Sequence, residues 1–173
     1  MQSYFSSFVV YIEQEMPVHL LNSGENELMT AKDNTTLVQG IYEAINSHQS
    51  DPAWFDKASA SIAEDFEGIN PRGLVRHGVE GFDNHIGNWV RAFPGLQIQV
   101  TDIFSTRDHT CAEFIGRGVH TGTLQGPLGE IQPTGKQVEV RFCEVYRFKR
   151  GQVASIHTYY DMQDLMRQLG ASK

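Results

Sequence analysis

The 173-residue chain has few cysteines, fewer basic than acidic residues and no long apolar run. Cys111 and Cys143 are its only cysteines, too few for a disulfide framework or a four-cysteine zinc site. Acidic residues outnumber Lys and Arg by 21 to 14, giving a formal net charge of −7, whereas a nucleic-acid partner requires a positive surface. No apolar run approaches the roughly 18–20 residues that cross a bilayer. We therefore expect no nucleic-acid partner and no membrane association.

The composition fits one domain with a sizeable core, because 40% of the residues are apolar and 20% are charged. Residues 1–30 differ from the rest, since they contain acidic residues and no Lys or Arg. Their short apolar stretch, residues 8–12, has no basic residue before it, unlike a secretory signal. We therefore expect a cytoplasmic protein.

The chain divides into an N-terminal extension, residues 1–30, and a domain, residues 31–173. Three interpretations of the extension stay open at this point. It is an ordered arm that packs on the domain or on a second subunit, a mobile tail, or a segment upstream of a true start at Met29.

The domain has helical spacing first and strand alternation afterwards. Apolar residues recur at helical spacing in three segments, which predicts helices at residues 33–48, from 51 onwards and at 81–93. Beyond Pro94 the period changes to two, which predicts four strands at 96–105, 110–120, 137–149 and 152–160, followed by a helix at 161–169. This order predicts an α+β fold in which a curled antiparallel sheet wraps around N-terminal helices, encloses an internal cavity and precedes a short C-terminal helix.

Two carboxylates interrupt apolar strand faces. Glu144 lies in the phase of Phe142 and Tyr146, and Asp102 lies in the phase of Val100. A buried charge must be paired, hydrogen-bonded, neutralised or exposed to a wet cavity. Glu144 therefore either lines a pocket or bonds an arginine or a backbone group, and for Asp102 a structural role is favoured.

Histidines and an aspartate end the second and fourth strands. His157, Tyr159 and Asp161 share one phase of the last strand and could line the same cavity. His157 is alternatively a core histidine, and Asp161 is alternatively the N-cap of the last helix. His120 follows Gly116 and Gly118, which make room for other side chains or permit a bulge.

Several common catalytic motifs are missing from the sequence. No histidine pair has metal-ligand spacing, so we expect no metal site. There is no phosphate-binding loop, no dinucleotide fingerprint at a strand-to-helix turn and no G-x-S-x-G elbow. The two cysteines have no evident base partner, so we expect neither to be a nucleophile.

Five short motifs, taken in order, resemble one known family. They are residues 92–96 (AFPGL), 118–122 (GVHTG), 133–136 (PTGK), 144–151 (EVYRFKRG) and, at the end, the pair 160–161 (YD) with 168–170 (QLG). From about residue 33 to 170 the chain resembles the SnoaL-like polyketide cyclases, also called ester cyclases, of the nuclear transport factor 2-like superfamily.

The resemblance implies a cone-shaped fold with a cavity and an intramolecular aldol condensation that needs no metal or cofactor. It implies that Asp161 acts as acid and base and that His120 lines the cavity. We further expect His157 or His120 to donate a hydrogen bond to a carbonyl or enolate. The expected substrate-binding side chains around them are Trp89, Phe93, Phe114, Phe142, Glu144, Tyr146 and Tyr159.

The chain departs from the family pattern where Ile156-His157 replaces the usual His-Trp, and where residues 122–131 form an insertion-like loop. We therefore expect a cyclase or isomerase acting on a small, oxygenated, mostly apolar molecule. The alternatives are a non-catalytic ligand-binding module and a dimerisation module of the same fold. A homodimer is expected in each case.

Overall fold

The computed structural model describes residues 30–126 and 129–171, so the predicted extension at 1–30 lies outside the described residues except for Thr30. The helices are α1 (Ala31–Asn46), α2 (Trp54–Ser59), α3 (Gly78–Phe82), α4 (Asn88–Ala92) and α5 (Met162–Leu169). A π-helical turn, Asp83–Gly87, joins α3 to α4. The strands are β1 (Ile62–Ile69), β2 (Val75–His77), β3 (Gln97–Ser105), β4 (His109–Val119), β5 (Leu124–Gly126), β6 (Gly129–Ile131), β7 (Gln137–Lys149) and β8 (Gln152–Tyr160).

Six strands form one curled sheet in the order β2-β1-β8-β7-β4-β3. Only the β1–β8 pair in this sheet is parallel. β5 and β6 form a separate hairpin. The predicted α+β fold, with N-terminal helices, a mainly antiparallel sheet and a short C-terminal helix, is therefore confirmed.

Helix α1 is bonded at one end to the edge strand β3 and at the other end to the turn after it. It begins at Ala31, two residues earlier than predicted, because Thr30 and Asp33 form a capping box. Near this end, the amide of Asn34 donates to the backbone oxygens of residues 106 and 107 at 3.0 and 2.9 Å. At the other end, the Asn46 amide exchanges two hydrogen bonds with the backbone of Ile98, at 2.8 and 2.7 Å. Asn46 thus pairs with one residue at the free edge of β3, and Asn34 holds the turn that follows the strand.

The core lies between the helices and the inner face of the sheet, where β4 and β7 contribute half of the buried aromatic rings among the described residues. Phe114 and Phe142 stack with ring centroids 4.9 Å apart. A Cβ atom on Gly116 would lie 3.0 Å from the Phe142 ring, and one on Gly118 would lie 3.0 Å from Phe93. The glycines of β4 therefore make room for these rings, as the sequence predicted.

A β-bulge in β3 reverses which side chains face the core. Val100 pairs with Phe114 and Asp102 pairs with Glu113, so Thr101 is an extra residue in the ladder. Asp102 is exposed as a result. The prediction that Asp102 lies on the inner face is wrong, because the bulge shifts by one residue the alternation of inward and outward side chains along β3.

A second bulge, in β8, has the same effect. Val153 pairs with Phe148 and Ser155 pairs with Arg147, so Ala154 is the extra residue. Beyond it, Ile156 and Thr158 are buried on the inner face. The sequence predicted that the other set of side chains, those of His157, Tyr159 and Asp161, faces the cavity.

The two glycine-containing turns that resemble the family bind to each other. The backbone N–H of His120 donates to the oxygen of Lys136 at 2.8 Å, and the N–H of Gly135 donates back to His120 at 2.9 Å. The N–H groups of Thr121 and Gly122 donate to the oxygen of Ala92, the last residue of α4. These motifs therefore fasten the end of α4 to the end of β4.

Helix α5 covers the part of β7 that extends past the end of β8. The Gln168 amide accepts from the N–H of Glu139 and donates to its oxygen, both at 2.8 Å. The helix ends at Gly170, whose φ of 70° suits a residue without a side chain. Within the described residues, none of these helices is long and apolar enough to cross a membrane.

Candidate functional site

A narrow pocket lies between α1, the π-helical turn and the inner faces of β4 and β7. We call it the inner pocket. Its lining is mostly apolar and consists of Tyr42, Ile45, His85, Ile86, Trp89, Leu96, Ile98, Phe114, Gly116, Phe142 and Glu144. The space open to the centres of water-sized molecules is about 40 Å³, enough for a few waters. The pocket therefore surrounds two polar groups, His85 and Glu144, with aromatic rings.

Glu144 is buried and is held by three hydroxyl groups. Its Oε2 accepts from the hydroxyls of Tyr42 at 2.9 Å and Tyr146 at 2.8 Å. Its Oε1 accepts from the hydroxyl of Thr158 at 2.8 Å. Of the two alternatives drawn from the sequence, the carboxylate lines a pocket, and the hydrogen bonds that satisfy it come from hydroxyls rather than from an arginine.

His85 and the hydroxyl groups together keep Glu144 ionised. Burial alone would raise the pKa of Glu144, but the nearby His85 and the hydroxyl bonds from Tyr146 and Thr158 outweigh it, so the pKa lies below its usual value. Burial first, and then the charge of Glu144, raises the pKa of Tyr42 and of Tyr146 well above the usual range. Both tyrosines therefore remain hydrogen-bond donors, and Glu144 is a weak base that serves as a fixed negative charge.

His85 comes from the π-helical turn and reaches Glu144 through Thr158. Its Nε2 lies 2.7 Å from Thr158 Oγ1 and 3.7 Å from Glu144 Oε1, too far for a direct hydrogen bond to the carboxylate. An ionised carboxylate only accepts, so the single hydroxyl proton of Thr158 points at Glu144. Thr158 Oγ1 must then accept from an Nε2–H of His85. We call these three groups the hydroxyl relay.

The relay leaves the other ring nitrogen of His85 without a partner. Within the described part of the chain, no hydrogen bond reaches Nδ1. On the β1 side, a Cβ atom on Gly68 would lie 3.3 Å from Nδ1, so the ring packs closely beside this glycine. Glycine presents no side chain there and therefore leaves room beside Nδ1.

A second pocket adjoins the inner one, and His85 and Trp89 line both. We call it the outer pocket. Its other walls come from β8, α5 and the loops before β2 and around β5, through Asn70, Pro71, Asn88, Leu124, Gln125, Gly126, Thr158, Tyr160, Leu165 and Met166. The space open to the centres of water-sized molecules is about 90 Å³. The relay therefore lies between an apolar and a more polar recess.

Four of the predicted substrate-binding residues line the inner pocket, namely Trp89, Phe114, Phe142 and Glu144. Tyr146 is fully buried behind Glu144, to which it donates. Phe93 is 1% exposed and packs on Trp89, so it belongs to the core beside the pocket.

Asp161 does not point into the inner pocket. It is exposed, and its Oδ1 accepts from the N–H of Asp164 at 2.9 Å, which makes it the N-cap of α5. The expectation that its carboxylate faces the cavity is corrected, because the bulge at Ala154 turns its phase of β8 outward. The alternative drawn from the sequence, an N-cap, is what the structure has.

The same bulge corrects the placement of His157 and Tyr159. His157 pairs with Val145 on the outer face of the sheet, and Tyr159 is 53% exposed. Neither residue lines the inner or the outer pocket. The side chains that β8 does direct inward are those of Thr158 and Tyr160.

His120 is fully buried at the end of β4, away from both pockets. Its Nδ1 lies 3.3 Å from the N–H of Thr134 and 3.1 Å from the Thr134 hydroxyl, and its ring packs against Phe93. Its Nε2 has no hydrogen-bond partner in the described structure. Burial lowers the pKa of His120, so the ring is held neutral. These contacts join the two family-like turns.

The two cysteines lie on the outer face of β4 and β7, with their sulfur atoms 3.6 Å apart. Burial and the hydrogen bond with Cys143 raise the pKa of Cys111 to about 11, which leaves little thiolate at neutral pH. Across the ranges that the structure describes, no group of three or more His, Cys, Asp or Glu residues is placed to hold a metal ion.

Sequence reasoning missed His85, Tyr42 and the inward phase of β8. A signal for His85 was available, because it lies three residues after Phe82 and four before Trp89, on an apolar helical face. Tyr42 likewise follows Val38 by four residues in α1. No sequence signal marks the bulge that turns Thr158 inward.

Comparisons with known proteins agree with this fold. A family model described as SnoaL-like polyketide cyclase matches residues 36–169. No curated protein matches the sequence. A solved structure of a proposed SnoaL-like polyketide cyclase from Jannaschia sp. CCS1 is 19% identical, with a TM-score of 0.73 over 87% of this chain and 100% of that one.

Two Streptomyces proteins are also similar in structure. AclR from Streptomyces galilaeus, a proposed hydroxylase, is 21% identical, with a TM-score of 0.67 over 83% of this chain and 89% of that one. IdmH from Streptomyces antibioticus, a proposed polyketide cyclase, is 26% identical, with a TM-score of 0.61 over 78% of this chain and 96% of that one. One fold thus carries proteins with different assigned activities, so the side chains of this chain must decide its chemistry.

Proposed function

The chain belongs to the SnoaL-like polyketide cyclase family, and on that premise we propose that it is a cofactor-independent cyclase or isomerase in which His85 moves the proton. Its substrate is a small, oxygenated, mostly apolar molecule. The observation that supports the proposal is the hydroxyl relay, which holds His85 through Nε2 at the boundary of two pockets and leaves Nδ1 without a hydrogen-bond partner among the described residues.

The relay suits proton abstraction next to a carbonyl. The Nδ1 lone pair of His85 takes a proton from the carbon, and the electrons of the C–H bond form an enolate. The resulting imidazolium lies 3.7 Å from the ionised Glu144, with Thr158 bonded to both, so the charge that forms on the ring is stabilised.

Ring closure follows without further reagents. The enolate carbon attacks a second carbonyl of the same molecule, one C–C bond forms, and the new alkoxide takes the proton back from Nδ1. Proton and charge balance, and the enzyme returns to its starting state. An aromatic-lined recess favours this step, because holding the two reacting carbons together removes much of the entropic barrier.

Glu144 supports this chemistry without acting as the base. Its lowered pKa makes it a poor proton acceptor at neutral pH, and its negative charge lies behind Thr158, where it faces the positive charge that forms on the ring during the reaction. The Asp161 carboxylate, which caps α5, has no part in this scheme.

Deuterium exchange into 4-phenyl-2-butanone tests the proposal. This ketone has an apolar ring and enolisable protons, and its exchange in D₂O is followed by proton NMR. We expect wild-type protein to accelerate exchange and His85→Gln to lose about 100-fold or more of that rate, within the usual range for a general base. His77→Gln, at a histidine whose side chain is 70% exposed, is the matched control and should be unaffected.

The affinity of the ketone separates the possible outcomes. His85→Gln should bind the ketone about as well as wild type while losing exchange. Binding without exchange in the wild-type protein would favour the alternative, a non-catalytic ligand-binding module. Exchange that survives in His85→Gln would refute the role of His85. The expected homodimer and cytoplasmic location remain predictions, the former measurable by light scattering.

A further inference from the structure

We infer that the outer pocket receives the oxygenated end of the substrate, where the Tyr160 hydroxyl donates a hydrogen bond to a carbonyl oxygen, while the apolar end lies in the inner pocket. This inference rests on the proposed function, since it concerns the same ligand. It identifies a specificity-determining residue and the shape of the ligand, an elongated molecule with a ring at one end and a carbonyl at the other.

The outer pocket has polar groups, but most of them are already used. Asn88 exchanges two hydrogen bonds with the backbone of Gln125, at 3.3 and 3.0 Å. The side-chain oxygen of Asn70 accepts from two N–H groups of its own turn. The Thr158 hydroxyl belongs to the relay. These bonds occupy the side-chain oxygens of Asn70 and Asn88 and the hydroxyl proton of Thr158.

The Tyr160 hydroxyl differs, because it has no hydrogen-bond partner within the described residues. Its ring is held between Trp89 and Phe142, with centroids 5.4 and 5.1 Å away. Burial raises the pKa of Tyr160, so its hydroxyl keeps its proton at neutral pH and acts as a donor. The hydroxyl is not fully buried, so an acceptor atom of a ligand in the outer pocket can reach it and take the place of water.

Trp89 gives the two pockets one shared wall. It contacts Phe142 from the inner pocket and Tyr160 from the outer one, edge-on in both cases. His85 lines both pockets at the same boundary. A molecule that spans this boundary would place its apolar end near Phe114 and Phe142, its carbonyl near Tyr160, and the carbon between them beside His85.

A pair of probes with one skeleton tests the inference. 4-Phenyl-2-butanone has the carbonyl and butylbenzene lacks it, and both dissociation constants are measured by NMR titration. We expect Tyr160→Phe to weaken binding of the ketone about five- to tenfold, the loss of one hydrogen bond, and to leave butylbenzene unchanged. Tyr159→Phe, at the neighbouring exposed tyrosine, is the matched control and should change neither constant.

Three results would overturn the inference: an unchanged ketone affinity in Tyr160→Phe, an equal loss for both probes, or no binding of the ketone to wild-type protein at millimolar concentration. If Tyr160→Phe does not fold, Met166→Phe provides a second test, because the larger side chain fills the outer pocket from α5. Met166→Phe should weaken binding of the ketone at least as much, and an unchanged affinity in this variant would also overturn the inference. A Tyr160-dependent affinity without deuterium exchange would keep this inference and refute the proposed function.

Discussion

Thr158 lies directly opposite Glu144 in the β7–β8 ladder, and its hydroxyl donates to Glu144 Oε1 at 2.8 Å. This pairing determines the direction of the hydrogen bonds in the site. The carboxylate takes the hydroxyl proton of Thr158, so Thr158 accepts from His85 Nε2, and Nδ1 remains for a ligand. The proposed role of His85 in proton transfer depends on this order of donors and acceptors.

Replacing Thr158 tests whether the hydroxyl carries the relay. Thr158→Val keeps the shape of the side chain and removes the hydroxyl, so Nε2 and Glu144 Oε1 lose their shared partner. We expect the kcat for ketone exchange to fall about 100-fold with little change in KM, because the loss affects the charge formed during reaction. Thr158→Ser keeps the hydroxyl and should stay within a few-fold of wild type. Equal rates for the Val and Ser variants would remove Thr158 from the mechanism.

Gly68→Ala tests whether Nδ1 is the reacting nitrogen. The new methyl carbon would lie 3.3 Å from Nδ1 and 3.2 Å from the Phe66 ring, while the Nε2 side of the relay is untouched. We expect exchange to fall about tenfold or more and stability to fall by about 1 kcal/mol from overpacking.

The control for this change is Gly40→Ala. No atom lies within 4 Å of the position that its Cβ would take in α1. We expect unchanged exchange and a gain of about 0.5–1 kcal/mol in the free energy of unfolding, measured with urea. A Gly68→Ala protein that folds and exchanges at the wild-type rate would show that Nδ1 is not where the ligand reacts.

Replacing Asp161 distinguishes the proposed mechanism, in which His85 is the base, from the mechanism that the family resemblance implies, in which Asp161 is the base. Asn is as good an N-cap as Asp, so we expect Asp161→Asn to change the free energy of unfolding by less than about 0.5 kcal/mol and exchange by less than about twofold. Asp161→Ala should cost about 1 kcal/mol of stability and still leave exchange intact. Loss of exchange in a folded Asp161→Asn protein would restore Asp161 as the base.

His120 should make the domain less stable as the pH falls. Burial lowers its pKa in the folded state, whereas the unfolded chain binds a proton at the ordinary value of about 6.5. As far as His120 is concerned, the folded domain therefore has its full stability above about pH 6.5. It loses part of that stability as the pH falls towards the pKa of His120 in the folded state. Urea unfolding at pH 7.5 and 5.5 should show a smaller loss in His120→Gln than in wild type. The exposed His77→Gln control should match wild type, and an equal loss in all three proteins would contradict this role.

The fold was predictable because its periodicities are long and clear. The helical spacing in α1 and the alternation along β7 extend over many residues, and three of the five strand pairs in the six-stranded sheet join strands that are consecutive in the chain. Glu144 was found for the same reason, since β7 alternates without interruption on either side of it.

The site was predicted only in part, because one inserted residue changes the face of every residue after it. The extra residue at Ala154 moves Thr158 and Tyr160 inward and His157 and Asp161 away from the core. Nothing in the local sequence marks such a bulge, since its cause is the fit of β8 against β7 and β1. The sequence did not single out His85 for a different reason. A lone histidine on an apolar helical face is more often a core residue than a functional one.

The tautomer of His85 tests the central claim most directly. A long-range ¹H–¹⁵N correlation spectrum of ¹⁵N-labelled protein, at a pH where the ring is neutral, shows which ring nitrogen carries the proton, and comparison with His85→Gln assigns the signal. The relay predicts a protonated Nε2 and a bare Nδ1. A proton on Nδ1 and a bare Nε2 would mean that Thr158 donates to the ring instead of to Glu144, and the proposed path for the proton would be wrong.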